Sequence, residues 1–328
     1  MGTDRDTKAP SPPPGTKVRT DGMVWIPGGE FLMGSNSHYE EEAPTYRARV
    51  DGFWIDRHTV TNREFRRFVE ATGHVTLAER PVDPAEYPGA DPAKLAPASV
   101  VFRKAERGVN LRNVTWWDYV PGADWRHPRG PASSLQGLWD HPVVQVSFDD
   151  AMAYATWAGK TLPTEAEWEL AARGGLEGAE YAWGDELYPG GKPMANTWQG
   201  EFPWQNLVED GYEWTAPVGT FPPNGFGLHD MAGNVWQWTT DWYQSHGKIQ
   251  QACCTLENPR GATREDSIDP RLADLKVARK VIKGGSYLCA PNYCRRYRPA
   301  ARMAQEVNSA TCHIGIRCIV RPGEGREP

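Results

Sequence analysis

Residues 147–175 read SFDDAMAYATWAGKTLPTEAEWELAARGG, and their reading decides the fold. Ser147 with Asp150, and Thr164 with Glu167, repeat a hydroxyl-x-x-carboxylate pattern in which side chain and backbone satisfy each other's first-turn donors. The first box opens a helix through Tyr154 and Trp157 that stops at Gly159. The second, after Leu162-Pro163, opens a helix with Trp168, Ala171 and Ala172 on one face and Gly174-Gly175 as its stop. Upstream, residues 141–146 read as a strand. Farther back, Thr61 or Asn62 caps a helix whose Phe65, Phe68 and Val69 fall at i, i+3 and i+4, with Arg63, Arg66, Arg67 and Glu70 on its exposed face. Residues 24–26 and 31–33 flank Pro27-Gly28-Gly29 as strand, turn and strand. From Pro81 to about Asp140 the chain is rich in Pro, Gly and Trp without a period, as in a packed irregular insertion. Downstream of Gly175 no helix is signalled, only short apolar segments at 218–221, 235–239 and 281–282 between Pro-Asn-Gly and Gly-Gly turns.

The 328 residues carry 36 Lys and Arg against 42 Asp and Glu, a net charge of −6, with mean hydropathy −0.63. This is the composition of a mildly acidic soluble protein, and nothing basic invites nucleic acid. With 33 Gly and 28 Pro the chain is expected to be loop-rich, and 15 Trp supply large rings to organise irregular backbone. The expected class is α+β, a single compact loop-rich domain with little regular secondary structure over residues 21–322, between a disordered Pro-rich tail (1–20) and a short C-terminal tail (323–328). No run is long and apolar enough for a membrane helix, and the first twenty residues lack the apolar core of a secretory signal, so a cytoplasmic location is expected.

All six cysteines (Cys253, Cys254, Cys289, Cys294, Cys312, Cys318) lie in the last quarter of the chain. They are too sparse for a disulfide scaffold and are expected to be thiols. The chemically densest segment is 283–298, KGGSYLCAPNYCRRYR. Cys289 and Cys294 stand five apart across Pro291-Asn292, a turn that can bring both sulfurs to one point. Spacing leaves three chemistries open: inert buried thiols; a reversible disulfide or a zinc site drawn from Cys289, Cys294, Cys312 and Cys318; or a two-thiolate site suited to a soft ion, Cu(I). Arg295, Arg296, Arg298 and Arg302 either favour thiolates nearby or lie on a solvated face. Cys253 and Cys254 read as surface residues, and Cys312 and Cys318 as small buried hydrophobes.

Several motifs carry a resemblance. PGGEFLMGS at 27–35, RHTVTN at 57–62, LPTEAEWE at 162–169, ANTWQG at 195–200, PNGFGL at 223–228, GNVW at 233–236 and IGIRC at 314–318 resemble the formylglycine-generating enzyme and sulfatase-modifying factor superfamily. The match runs from about residue 22 to 320. Gly284-Gly285-Ser286, then Cys289 and Cys294, then Tyr297-Arg298, is the most specific part and looks like the active-site segment of true formylglycine-generating enzymes. The resemblance implies that family's C-type-lectin-like fold and a Cu(I)- and O2-dependent oxidase. Its partner would be an unfolded or nascent sulfatase polypeptide, in which the cysteine of a Cys-x-Pro-x-Arg motif becomes Cα-formylglycine through a thioaldehyde that hydrolyses, with a thiol or other reductant completing the reduction of O2. It makes Cys289 and Cys294 the copper ligands and places Ser286 and Trp236 beside the metal.

The resemblance also implies structural Ca2+. Asn196, Thr197, Asp210 and Tyr212 match one family site, oxygen donors from a loop as calcium requires. A second would map to Asp230, Gly233, Val235 and Gln237, where Gln237 replaces the usual Glu and removes a carboxylate. Ala290-Pro291-Asn292-Tyr293 replaces a His-x-Ser-Tyr common between the cysteines, and His313 replaces a common Asn. The alternative class is a non-catalytic protein-binding module on the same scaffold. A third, an iron-dependent sulfoxide synthase, resembles a longer chain with a three-His cluster that the eight histidines here do not match.

Overall fold

The computed structural model describes residues 20–84, 89, 91, 95–248, 254–271 and 276–323. The Pro-rich tail expected over 1–20 lies outside them except for Thr20, as do residues 324–328 and Cys253. Among the described residues the chain runs β1 (Met23–Ile26), β2 (Gly29–Met33), β3 (Tyr46–Val50), β4 (Phe53–Asp56), α1 (Asn62–Thr72), β5 (Ala98–Phe102), β6 (Trp117–Pro121), α2 (Phe148–Trp157), α3 (Glu165–Arg173), β7 (Trp236–Trp242), β8 (Leu256–Glu257), β9 (Arg279–Lys283), β10 (Arg302–Glu306), β11 (Ile314–Gly315) and β12 (Ile319–Val320). Three helices among short strands and long loops make the loop-rich α+β fold expected.

All three helices start as their sequences dictate. Thr61, Ser147 and Thr164 each accept the backbone N–H three residues on, while Glu64, Asp150 and Glu167 reach back to the cap. Helices α1 and α3 end at left-handed glycines, Gly73 (φ +69°) and Gly174 (φ +59°). The four sheets have the orders β1-β4-β12, β10-β9-β7-β11, β2-β3-β8 and β5-β6. The four-stranded one matters most here, because β7 carries Trp236 and β9 feeds the cysteine loop.

Residues 24–26 and 31–33 are strands as expected, β1 pairing with β4 and β2 with β3. Other expectations need correction. Residues 141–146 form no strand: Val143 N–H bonds Val60 O and Gln145 N–H bonds Thr311 O, and Gln145 at φ +61° breaks the two-residue pleat. The irregular 81–140 stretch contains the antiparallel pair β5-β6.

Six tryptophans (116, 125, 168, 198, 236 and 238) have less than 2% of their surface exposed. At about 25 cal/mol per Å2 each contributes up to roughly 4–6 kcal/mol of burial, an upper bound from an extended unfolded chain. Every residue of α3 is buried, its charges included. Glu169 meets Lys283 at 2.9 Å and Arg173 at 2.7 Å, and Glu165 meets Arg302 through two 2.7 Å contacts. A buried ion network therefore bolts α3 to β9 and β10 under the cysteine loop.

Candidate active site

Strand β9 ends at Lys283, and the chain then reverses through Gly284 (φ +97°) and Gly285 (φ +70°). A Cβ on Gly285 would lie 2.8 Å from the backbone of Arg296 and 2.9 Å from Tyr297 N, so only glycine lets the two ends of the loop close on each other. Two tight turns follow: Cys289 N–H donates to Ser286 O at 2.9 Å, and Cys294 N–H to Ala290 O at 2.8 Å. Trp198 N–H anchors Cys289 O at 3.0 Å and Asn234 O takes Tyr287 N–H at 3.0 Å. The two sulfurs end 3.2 Å apart, and Ser286 N–H points at Cys289 Sγ from 3.4 Å.

The pair is nearly enclosed, with Cys289 2% and Cys294 8% exposed, although Pro291, Asn292 and Tyr293 between them in the chain are exposed. The two sulfurs differ electrostatically. Hydrogen bonding from Cys289 lowers Cys294 to about 7 against the pull of burial, helped by Arg296, whose Nη1 sits 3.7 Å from the sulfur. Burial and the adjacent sulfur push Cys289 well up. Cys294 is thus the sulfur that ionises first, around neutral pH, its thiolate accepting from the Cys289 thiol. In metal-free protein we expect iodoacetamide to label Cys294 with a rate rising through about pH 7, and Arg296→Gln to move that midpoint upward; an unshifted midpoint would contradict the assigned role of the guanidinium.

Two sulfurs without a hard donor suit a soft monovalent ion. Among the described residues no group of three or more His, Cys, Asp or Glu gathers as a metal site, so the four-cysteine zinc alternative fails. Cys312 Sγ instead accepts Phe102 N–H at 3.2 Å in one aromatic cluster, and Cys318 is sealed in the core beside Asp56. Cys289, Cys294, Cys312 and Cys318 are all buried free thiols.

The first calcium set gathers in one loop. Asn196 is fully buried and its Oδ1 has no hydrogen-bond partner. Asp210 accepts from Thr197 N–H at 3.1 Å and Tyr212 N–H at 2.9 Å, and Gln199 Nε2 donates to both Thr197 O and Asp210 Oδ2, a positive end standing among oxygens. An orphaned side-chain carbonyl and a half-buried carboxylate in one loop fit a hard cation. The second set does not fit. Gln237 Oε1 accepts from Trp168 Nε1 and Arg317 Nε, both at 2.8 Å, and Arg317 Nη2 bonds the carbonyls of His229 and Asp230. A buried guanidinium thus already engages Gln237 and the Asp230 carbonyl, two of the four groups (Asp230, Gly233, Val235 and Gln237) to which the second site mapped.

The model of the sulfatase-modifying factor enzyme 1-like domain matches residues 8–322. The chain belongs to this family. As a sulfatase-modifying factor enzyme 1-like protein it is 52% identical to the formylglycine-generating enzyme of Mycobacterium tuberculosis over 92% of this chain and 99% of the relative. It is 48% identical to that of Thermomonospora curvata over 92% and 94%. The solved structure of PvdO from Pseudomonas aeruginosa shares the fold, with TM-score 0.55 and 22% identity over 91% and 94% of the two chains.

In this family member the structure brings Cys289, Cys294 and Trp236 into one apolar cluster, with the fully buried Ser286 bonded to Cys289. Of the arginine run, Arg296 alone contacts a sulfur; Arg298 and Arg302 are buried against Glu42 and Glu165, and Arg295 pairs with Glu180 at 2.8 Å. His313 is a buried ring stacked 4.9 Å from Trp117, held down to about 3 by burial. Sequence reasoning missed Tyr39 and Glu41. Arg296 Nη2 meets Glu41 at 2.7 Å and its guanidinium lies 3.8 Å over the Tyr39 ring. The acidic run 40–42 facing a basic run 295–298 was the available signal.

Proposed function

We propose that this chain is a copper-dependent formylglycine-generating oxidase, converting the cysteine of a Cys-x-Pro-x-Arg motif in unfolded or nascent sulfatases to Cα-formylglycine with O2. The observation that carries this reading is the convergence of Cys289 and Cys294, 3.2 Å apart at the two ends of an exposed turn, in a relative of enzymes bearing that name. Cu(I) held by these two sulfurs supplies the one-electron and dioxygen chemistry that strips hydrogen from the Cβ of the substrate cysteine. The protein's own residues prepare the ground. Ser286 N–H fixes Cys289 Sγ, Arg296 stabilises negative charge on Cys294, and Trp236 walls the site against water. The Cys289 proton has to leave when both sulfurs bind metal, and the guanidinium of Arg296 compensates the second charge that this creates. Incubating the protein with a Cys-x-Pro-x-Arg peptide in air, with and without added copper, tests the reading. Copper-dependent mass loss at the peptide cysteine is expected, and no loss leaves a non-catalytic binding scaffold.

We place the protein in a reducing, cytoplasmic setting, where the buried thiols of Cys289, Cys294, Cys312 and Cys318 stay reduced. We assign structural Ca2+ to Asn196, Thr197, Asp210 and Tyr212. Chelation is then expected to lower the melting temperature, and a hundredfold excess of calcium over its Kd to restore about 3 kcal/mol. Asp210→Asn should lose that response, whereas a calcium-independent melting temperature in the wild type would remove the site.

A further inference from the structure

We propose that Trp183, Tyr181 and Tyr297 form an electron route between the surface and the Cys289–Cys294 pair, a role that rests on the oxidase reading above. That reaction balances only with an outside reductant. One substrate thiol, one O2 and two reductant thiols give one aldehyde, one hydrogen sulfide, one water and one disulfide. Two electrons per turnover must therefore enter a site whose sulfurs are 2% and 8% exposed, and a bound substrate would narrow the direct approach further.

The rings provide a continuous path. Trp183 is partly exposed and its Nε1 donates to Glu186 O at 2.9 Å. Its ring stacks on Tyr181 with centroids 5.2 Å apart and planes 7° from parallel, and Tyr181 stacks on Tyr297 at 6.1 Å and 16°. Tyr181, Tyr297, Cys289 and Cys294 belong to one packed cluster, with Trp183 against its edge.

The surroundings of the two tyrosines give them different parts. A tyrosine releases its phenolic proton when it gives up an electron. The Tyr181 hydroxyl accepts from Arg295 Nη2 at 3.2 Å, and Glu180 binds the same guanidinium at 2.8 Å, so a carboxylate stands close by to take that proton and return it. The Tyr297 hydroxyl is buried without a partner. It has nowhere to send a proton, so Tyr297 bridges while Tyr181 is the stopping point. Each reductant thiolate gives one electron at the Trp183 edge, the electron passes inward through Tyr181 and Tyr297, and the two oxidised thiols couple as the disulfide.

The test uses copper-free full-length protein and no peptide, so its outcome is independent of whether the oxidase reading holds. Flash oxidation with tris(bipyridine)ruthenium(II) and a cobalt(III) acceptor creates holes on surface rings; two holes reaching the sulfurs remove two electrons and whatever protons the pair still holds, one from a thiolate–thiol pair, and close the Cys289–Cys294 disulfide, read by peptide mass mapping. Wild type and Trp157→Phe, which removes an indole 43% exposed and outside the stack, are expected to form the disulfide. Trp183→Phe and Tyr181→Phe, which keep a ring but resist oxidation, are expected to lose it while retaining native circular dichroism. Equal yields in all four proteins, or equal loss in Trp157→Phe, would overturn the route.

Discussion

Cys289→Ser and Cys294→Ser are each expected to bring aldehyde formation on a Cys-x-Pro-x-Arg peptide down to background, a loss on the order of 10³-fold or more, with the double variant no worse than either single one. Non-additivity is expected because the sulfurs act as a unit: with one removed, the other cannot form the two-sulfur clamp. Stability should change by only about 1–2 kcal/mol, since a hydroxyl at either position still has a hydrogen-bond partner 3 to 4 Å away in the remaining sulfur, Ser286 N–H or Arg296. Initial rates paired with melting curves separate the two effects. A variant that stays folded and works at the wild-type rate would end the oxidase assignment.

Lys283→Met is expected to give the largest loss of stability, about 3–5 kcal/mol, read as a lower urea midpoint at unchanged slope. Lys283 is fully buried and bonds Glu169 at 2.9 Å and Glu165 at 3.4 Å, so its removal strands negative charge among α3, β9 and β10. Because Gly284 and Gly285 follow directly, activity should fall as well, through a loosened cysteine loop. The same network sets the acid limit of the fold. Burial pulls Glu165 upward, but Arg302 and Lys283 hold it at about 2, so its stabilising contribution is complete above its ordinary 4.5 and is lost as pH falls toward 2. Burial holds His246 near 4, below its ordinary 6.5; the unfolded chain takes up that proton first, and stability already declines between pH 6.5 and 4. Melting temperatures across this range should therefore fall in two stages, His246 before Glu165. A stability curve flat down to pH 4 would show that His246 is not buried as a neutral ring.

The helices were legible in the sequence because their stop and start signals are local: a hydroxyl, a carboxylate three residues later, and a glycine able to turn left-handed. The strands β8, β11 and β12, of two residues each, have no pattern of their own, and β10 (RMAQE) shows no apolar alternation that would announce it. They exist because neighbours far along the chain offer backbone partners, as Trp54 and Ile55 do for β12. Residues 141–146 failed for the converse reason, an apolar pattern whose hydrogen bonds go to separate loops. At the site, Cys289 and Cys294 were readable because their turn lies between them. The Arg296–Glu41 contact spans 255 residues, and no spacing rule reaches that far. Cys312 and Cys318 fell outside the metal centre because each is packed into its own apolar surroundings.

The central claim is that two sulfurs of one loop form a soft-metal centre for thiol oxidation. It is tested most directly by titrating Cu(I) into metal-free protein and following aldehyde formation on a Cys-x-Pro-x-Arg peptide at each addition. The account requires activity to rise from zero and saturate at one copper per chain, with Cys289 and Cys294 protected from alkylation in step. Full activity before any copper is added, or saturation that leaves both thiols open to alkylation, would contradict it.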